Sequence, residues 1–176
     1  MIKNIILDRD GIINEVVIRG NIISSPWKLS EFTLLEESKE FLKKISKNKF
    51  RLFVATNQPD LKRGNLKFED FEKMNSIVKK NLNIEEIFYC PHDDSDKCNC
   101  RKPLPGMLEN ILLKYSLEKK ETCMIGDSIK DILAAEAAGI ESFFLNTDYN
   151  TFKKTKDIKR STIVNSFIEL EYALKL

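Results

Sequence analysis

No stretch of the 176 residues is apolar over anything like a membrane span, so no membrane partner is expected. Charge of one sign is equally scarce. Lys and Arg number 29 against 27 Asp and Glu, and the resulting +2 is spread along the chain. A sequence so nearly neutral has no basic face to offer nucleic acid or anionic lipid. It also has no internal repeat and no low-complexity tract. Met1-Ile2-Lys3 runs straight into Asn4-Ile5-Ile6-Leu7-Asp8, which is not how a secretory signal begins, and the expected location is the cytoplasm. Histidine and tryptophan occur once each.

What is present, 42% hydrophobic and 32% charged residues, is the composition of a globular protein. A chain of this length buries about 70% of the surface its unfolded form exposes, so one domain over residues 1–176, working as a monomer, needs no disulfide scaffold. The four cysteines therefore do not read as a framework. Three of them fall with the single histidine between Cys90 and Cys100, which points to a local metal site. Cys123 stands apart at the start of an apolar run and reads as a small buried residue.

Short apolar, β-branched runs alternate with amphipathic ones. Strands are expected at Ile5–Leu7, Leu52–Ala55, Ile87–Tyr89, Met124–Ile125 and Ser142–Leu145. Helices are expected over 36–47, 68–82, 105–115, 129–138 (stopped by Gly139) and 163–176. The basic run Lys153-Lys154-Thr155-Lys156 reads as a solvated turn. Such alternation predicts an α/β fold, a doubly wound parallel sheet with helices on both faces, whose ligands sit beyond the carboxyl ends of the strands.

Polar residues suited to one chemistry follow three of those strands. Asp8 and Asp10 follow the first, Thr56 and Asn57 the second, Asp127 and Asp131 the fourth, and Lys102 precedes the helix leading to the fourth. Carboxylates converging from distant segments repel unless a hard cation lies among them, and few oxygens plus water suit Mg²⁺. A lysine, a hydroxyl and free backbone N–H groups complete a receptacle for a phosphoryl group. In the loop, Cys90, His92, Cys98 and Cys100 supply four N/S ligands, the set of a closed structural Zn²⁺ site. That loop runs directly into Arg101-Lys102, so its expected role is to fix the lysine.

In this order and spacing, Asp8-x-Asp10-Gly11, Thr56, Lys102 and Gly126-Asp127-x-x-x-Asp131 resemble the four motifs of the haloacid dehalogenase superfamily of phosphatases. The resemblance implies Asp8 as nucleophile, Asp10 as general acid and base, and Mg²⁺ held by the Asp8 carboxylate, the Asp10 carbonyl and Asp127. It implies Thr56 and Lys102 as phosphoryl ligands and Asp131 as a support for its loop. A receiver domain, or another non-enzymatic phosphate- or metal-binding regulator, also uses acids, Mg²⁺ and lysine on this sheet. Asp10 disfavours it, because a receiver needs no proton donor two residues beyond the phosphorylated Asp.

Asp8-Arg9-Asp10-Gly11-x-x-Asn14, Thr56-Asn57-Gln58, the Cys-Pro-His…Cys-x-Cys-Arg-Lys-Pro loop and Pro105-Gly106-Met107 narrow the resemblance to the histidinol-phosphate phosphatase subfamily. Its members are compact and lack a large cap domain, which implies specificity from the loops 14–30, 58–66 and 90–102. The implied substrate is a small soluble phosphate ester, either D-glycero-D-manno-heptose 1,7-bisphosphate or histidinol phosphate. Arg63-Gly64, and the ability of Arg63 and Arg101 to hold a second phosphate bidentately, favour the heptose, whereas the short five-residue spacer between His92 and Cys98 resembles the histidinol enzymes. The acidic run Asp93-Asp94-Ser95-Asp96 offers itself to a cationic amine, but reads better as a solvated tip. Four features depart from the subfamily pattern. Ile12 stands where Thr or Val is commoner, Ser128 stands where Lys or Arg is common, Pro59 follows Gln58, and Ile22–Trp27 is unlike the relatives.

Overall fold

The computed structural model describes residues 1–47, 50–150 and 161–176. Its elements in chain order are β1 (Asn4–Leu7), β2 (Val17–Arg19), β3 (Ile22–Ser24), α1 (Glu36–Lys47), β4 (Arg51–Asn57), α2 (Asp60–Arg63), α3 (Phe68–Leu82) and β5 (Glu86–Cys90). There follow α4 (Gly106–Lys114), β6 (Thr122–Gly126), α5 (Ile129–Ala138), β7 (Glu141–Leu145), β8 (Ser161–Val164) and α6 (Phe167–Leu174). Among the described residues six strands pair in the order β5-β4-β1-β6-β7-β8, all in parallel.

The pleat of each strand explains the two helical layers. Ile5 and Leu7 of β1 join Leu52, Val54, Cys123 and Ile125 in a core closed by Phe41, Leu42 and Ile45 of α1, Val78 of α3 and Leu170 of α6. Ile6, Phe53, Ala55 and Met124 point the other way, onto Met107, Leu108 and Ile111 of α4 and Ala134 and Ala135 of α5. Every second residue thus serves a different layer, and both faces of the central strands are dry. Cys123 is fully buried in the first layer, as its sequence context predicts.

The C-terminal expectation needs correction. Ser161–Val164 is a sixth strand beside β7, and the last helix begins only at Phe167. Ile163 and Val164 are β-branched, and Ser166 then starts the helix by accepting a hydrogen bond from the Glu169 amide. A second element absent from the sequence reading is the antiparallel hairpin β2–β3, inserted between β1 and α1. This hairpin is all that stands in place of a cap among the described residues. The Lys153–Lys156 stretch lies outside the described residues.

Candidate active site

After β1 turns back at the topological switch, the chain goes first to β4 and β5 and later to β6 and β7 on the other side. The carboxyl ends of β1, β4 and β6 therefore open onto one crevice. It is a cleft of about 530 Å³, lined at its base by Asp8, Thr56, Lys102, Asp127 and Asp131. Gly11 makes the first turn possible. Its φ of +88° suits glycine, and a Cβ there would sit 2.2 Å from an Asp127 oxygen.

Lys102, 2% exposed, is the centre of the base. Its ammonium lies 2.9 Å from Asp8 Oδ1 and 2.5 Å from Asp131 Oδ1, and donates to the Ala55 carbonyl at 2.7 Å. Burial alone would lower its pKa, but Asp131 and Asp8 outweigh burial and hold it above its ordinary range. The acids pay for their crowding. Burial and then the Asp131 charge push Asp8 up to about 8 in spite of Lys102, and burial and Asp131 push Asp127 up to about 7. One oxygen of each of Asp8, Asp127 and Asp131 lies within 4.8 Å of the others, a donor set that fits a small hard cation. Asp131 is committed elsewhere as well, to the Ser128 amide in a capping box at the start of α5. Ser128, the departure from the pattern, is thus a helix cap.

Asp10 does not join that cluster. Its carboxylate accepts from Arg9 Nη2 at 3.0 Å, Asn14 Nδ2 at 2.8 Å and Gln58 Nε2 at 2.6 Å, which leaves its backbone carbonyl for a cation. Arg9 is fully buried, and its guanidinium lies 5.6 Å from the Phe71 ring centroid and 6.0 Å from that of Phe32. The sequence reading gives Arg9 no role; an arginine directly between two acids, Asp8 and Asp10, is the one sequence signal that points to it. Thr56 Oγ1 accepts from Gln58 Nε2 at 3.0 Å, so its own O–H is available to an anion. Two further neighbours of Asp127 carry no motif: Tyr149 donates to its carboxylate at 2.9 Å and Asn150 to its carbonyl at 2.7 Å.

Asn57 lines the cleft and also braces its lysine. Its side chain accepts from the Lys102 amide at 3.0 Å and donates to the Lys102 carbonyl at 2.9 Å. Both halves of the amide are used on the lysine's backbone, so Asn57 positions Lys102 at the edge of that cleft.

Cys90, His92, Cys98 and Cys100 converge as predicted. Their sulfurs are 3.1 to 3.6 Å apart, and His92 Nδ1 is 3.5 Å from Cys90 Sγ and 3.3 Å from Cys100 Sγ. A tetrahedral ion with Zn–S of about 2.3 Å needs edges of about 3.8 Å, so the four atoms fit zinc after a small expansion. All four cysteines are free thiols. Burial pushes the Cys90 thiol up, so a cation is what would hold several thiolates together here. The Cys90 carbonyl accepts from the Gln58 amide at 2.8 Å, tying this loop to the turn after β4.

The rim shows partners that the sequence alone does not reveal. The acidic tip is not simply solvated: Asp93 takes Arg63 bidentately at 2.6 and 2.7 Å, Asp94 takes Arg101 at 2.6 Å, and Asp96 holds Lys62. Arg63 and Arg101 line the cleft, but each already has a carboxylate partner, so neither waits there as an unpaired receptor for a second phosphate. Trp27 lines the cleft too, together with Arg19, Ile22 and Ile23 of the hairpin.

Comparison with known proteins agrees with this geometry. Residues 2–139 match the haloacid dehalogenase-like hydrolase family. The chain is 34% identical over 142 residues to D-glycero-beta-D-manno-heptose-1,7-bisphosphate 7-phosphatase of Neisseria meningitidis, covering 78% of this chain and 73% of that protein. It is 34% identical over 169 residues to the D-glycero-alpha-D-manno-heptose-1,7-bisphosphate 7-phosphatase of Photorhabdus laumondii, covering 89% of each. Among solved structures, the D,D-heptose 1,7-bisphosphate phosphatase of B. bronchiseptica, complexed with magnesium and phosphate, superposes with a TM-score of 0.83 at 26% identity. That match covers 99% of this chain and 98% of that one.

Proposed function

The chain belongs to the haloacid dehalogenase-like hydrolases, and from that premise we propose that it removes the 7-phosphate of D-glycero-D-manno-heptose 1,7-bisphosphate. The observation that carries the reading is the buried Lys102 held between Asp8 and Asp131 at the base of a cleft shared with Asp127 and Thr56. Phosphatases acting on this bisphosphate match most of the chain, which supports the substrate.

Asp8, the Asp10 carbonyl and Asp127 would hold Mg²⁺, which would supply the positive charge that lets a dianionic phosphate approach a carboxylate. Lys102 and the Thr56 hydroxyl bind phosphoryl oxygens. An Asp8 oxygen attacks phosphorus, the bond to the sugar O7 breaks, and Asp10 gives that oxygen a proton. Asp10 then takes a proton from water as the water attacks the aspartyl-phosphate, which releases inorganic phosphate and restores Asp8. Arg9, Asn14 and Gln58 keep the Asp10 carboxylate oriented for both transfers. Cys90, His92, Cys98 and Cys100 would hold Zn²⁺, which would stiffen the loop that delivers Lys102.

The setting is a single cytoplasmic domain, monomeric, feeding nucleotide-activated heptose for surface polysaccharide. No described helix is long and apolar enough to cross a membrane. Histidinol phosphate is disfavoured because the acids that would greet its amine are engaged by Arg63, Arg101 and Lys62. Side-by-side kinetics on both anomers of the heptose bisphosphate and on histidinol phosphate test the reading. At least tenfold higher kcat/KM for one heptose anomer is expected, equivalent to about 1.4 kcal/mol in transition-state binding. A preference for histidinol phosphate overturns it.

A further inference from the structure

The hairpin that replaces a cap carries a cation of its own. Arg19, the last residue of β2, lies with its guanidinium carbon 3.8 Å from the centre of the Trp27 ring. Its Nη2 donates to Glu31 Oε2 at 2.5 Å, and the same Glu31 oxygen accepts from the Trp27 amide at 2.8 Å. One carboxylate and one ring therefore fix the fork in position. Yet Arg19 Nη1 and Trp27 Nε1 are both shielded from solvent and without a hydrogen-bond partner. Buried donors left unsatisfied are uncommon, and two on adjoining side chains that both line the cleft call for an acceptor.

The contrast with the other arginines of the rim is what gives this pair its meaning. Arg63 and Arg101 are each matched to a carboxylate of the zinc loop, whereas Arg19 shares its single acid with a backbone amide and keeps one nitrogen unsatisfied. A planar guanidinium held against an aromatic face, with a second N–H donor beside it, suits a phosphate oxygen.

We propose that Arg19 and Trp27 form the subsite for the second phosphoryl group of a sugar bisphosphate, the one that is kept while the other is cleaved over Asp8. This rests on the bisphosphate reading above and assigns the choice of bisphosphate over monophosphate to the hairpin. Glu31 acts as the positioning residue that keeps the guanidinium on the ring. Ile22 and Ile23, both exposed, line the same cleft beside this pair.

The test exploits Trp27 as the only tryptophan of the chain. In the Asp8→Asn protein with Mg²⁺, its fluorescence is titrated with heptose 1,7-bisphosphate and with heptose 7-phosphate, and also with fructose 1,6-bisphosphate and fructose 6-phosphate. In each pair the bisphosphate is expected to bind at least tenfold more tightly. Adding Arg19→Ala is expected to shrink that ratio below about threefold, with Arg19→Lys intermediate because it keeps the charge and loses the fork. Trp27→Phe, which keeps the ring and removes the N–H, is expected to lower the ratio of kcat/KM for bisphosphate over monophosphate by three- to tenfold. Equal affinities within both pairs, or a ratio that survives Arg19→Ala, would overturn the proposal. Failure of the unaltered enzyme to hydrolyse the heptose bisphosphate would overturn the substrate assignment alone, since the fructose pair still decides the subsite.

Discussion

The cleft base and the cysteine loop are both cation sites, but they are assembled in opposite ways. The base draws Asp8, Thr56, Lys102 and Asp127 from four separate segments, and their side chains are fixed by the strands behind them. The loop gathers its four ligands within eleven residues. It is anchored in the core through Cys90, with Cys98 and Cys100 packed beside it, and tied by the pairs of Asp93, Asp94 and Asp96 with Arg63, Arg101 and Lys62. In the base, like charges are crowded by a fold that is stable for other reasons. In the loop, a bound ion would add the cross-link that these ties do not supply. Removing a charge should therefore relax the first region, and removing a ligand should loosen the second.

The largest effect that tests this contrast is Asp8→Asn. Turnover should fall by at least about a thousandfold, as expected for loss of a nucleophile. Thermal stability of the Mg²⁺-free protein should be unchanged or higher, because one of the mutually repelling acids is gone. A drop in melting temperature would mean that the base is held together by its charges.

Cys98→Ser probes the other side. Zinc content by elemental analysis should fall, with activity down about 10- to 100-fold, the usual scale for losing groups that orient an active residue. Added Mg²⁺ should not restore it. Full activity in zinc-free protein would separate the loop from Lys102.

The third prediction concerns pH. Asp8 and Asp127 are raised in the metal-free fold to about 8 and about 7, so the folded chain binds more protons than the unfolded chain between about pH 4 and 8. Stability of the Mg²⁺-free protein should fall as pH rises through that window. Mg²⁺ must displace those protons, so its apparent affinity should rise from pH 6 to 8. Calorimetric titration at three pH values checks the sign, and a flat profile would remove the crowding argument.

The smallest effect is expected at Lys62→Ala, which frees the exposed ion pair with Asp96 at the tip of the loop. Melting temperature and kcat/KM should stay within error, since such surface pairs contribute little. A clear loss would show that the tip, too, depends on its charges.

The same contrast decides what could be read from the sequence. The loop was legible because its ligands are neighbours in the chain, and β1, β4 and β6 were legible because a strand buried on both faces is an unbroken apolar run. The hairpin was not, since three-residue strands with exposed Ile18, Ile22 and Ile23 leave no alternation to detect. The expected helix over 163–176 overlaps β8 at Ile163 and Val164, because Ser161–Val164 is a short edge strand followed at once by helical residues. Tyr149 and Asn150 reach Asp127 across more than twenty residues, a tertiary contact without a local signature. Asn57 lies at the strand end that the sequence indicates, and its side chain braces the Lys102 backbone, which the sequence does not show. Its residue type is equally suited to an anion and to a backbone, and only the position of Lys102 decides between them.

The reciprocal bonding between Asn57 and Lys102 gives one loop peptide the hydrogen bonds of a sheet. The amide of Lys102 should thus exchange with solvent like a strand amide, although its neighbours belong to a turn. A functional group on a connecting segment has in effect been given the rigidity of β4, one side chain substituting for a strand that the fold had no room to add.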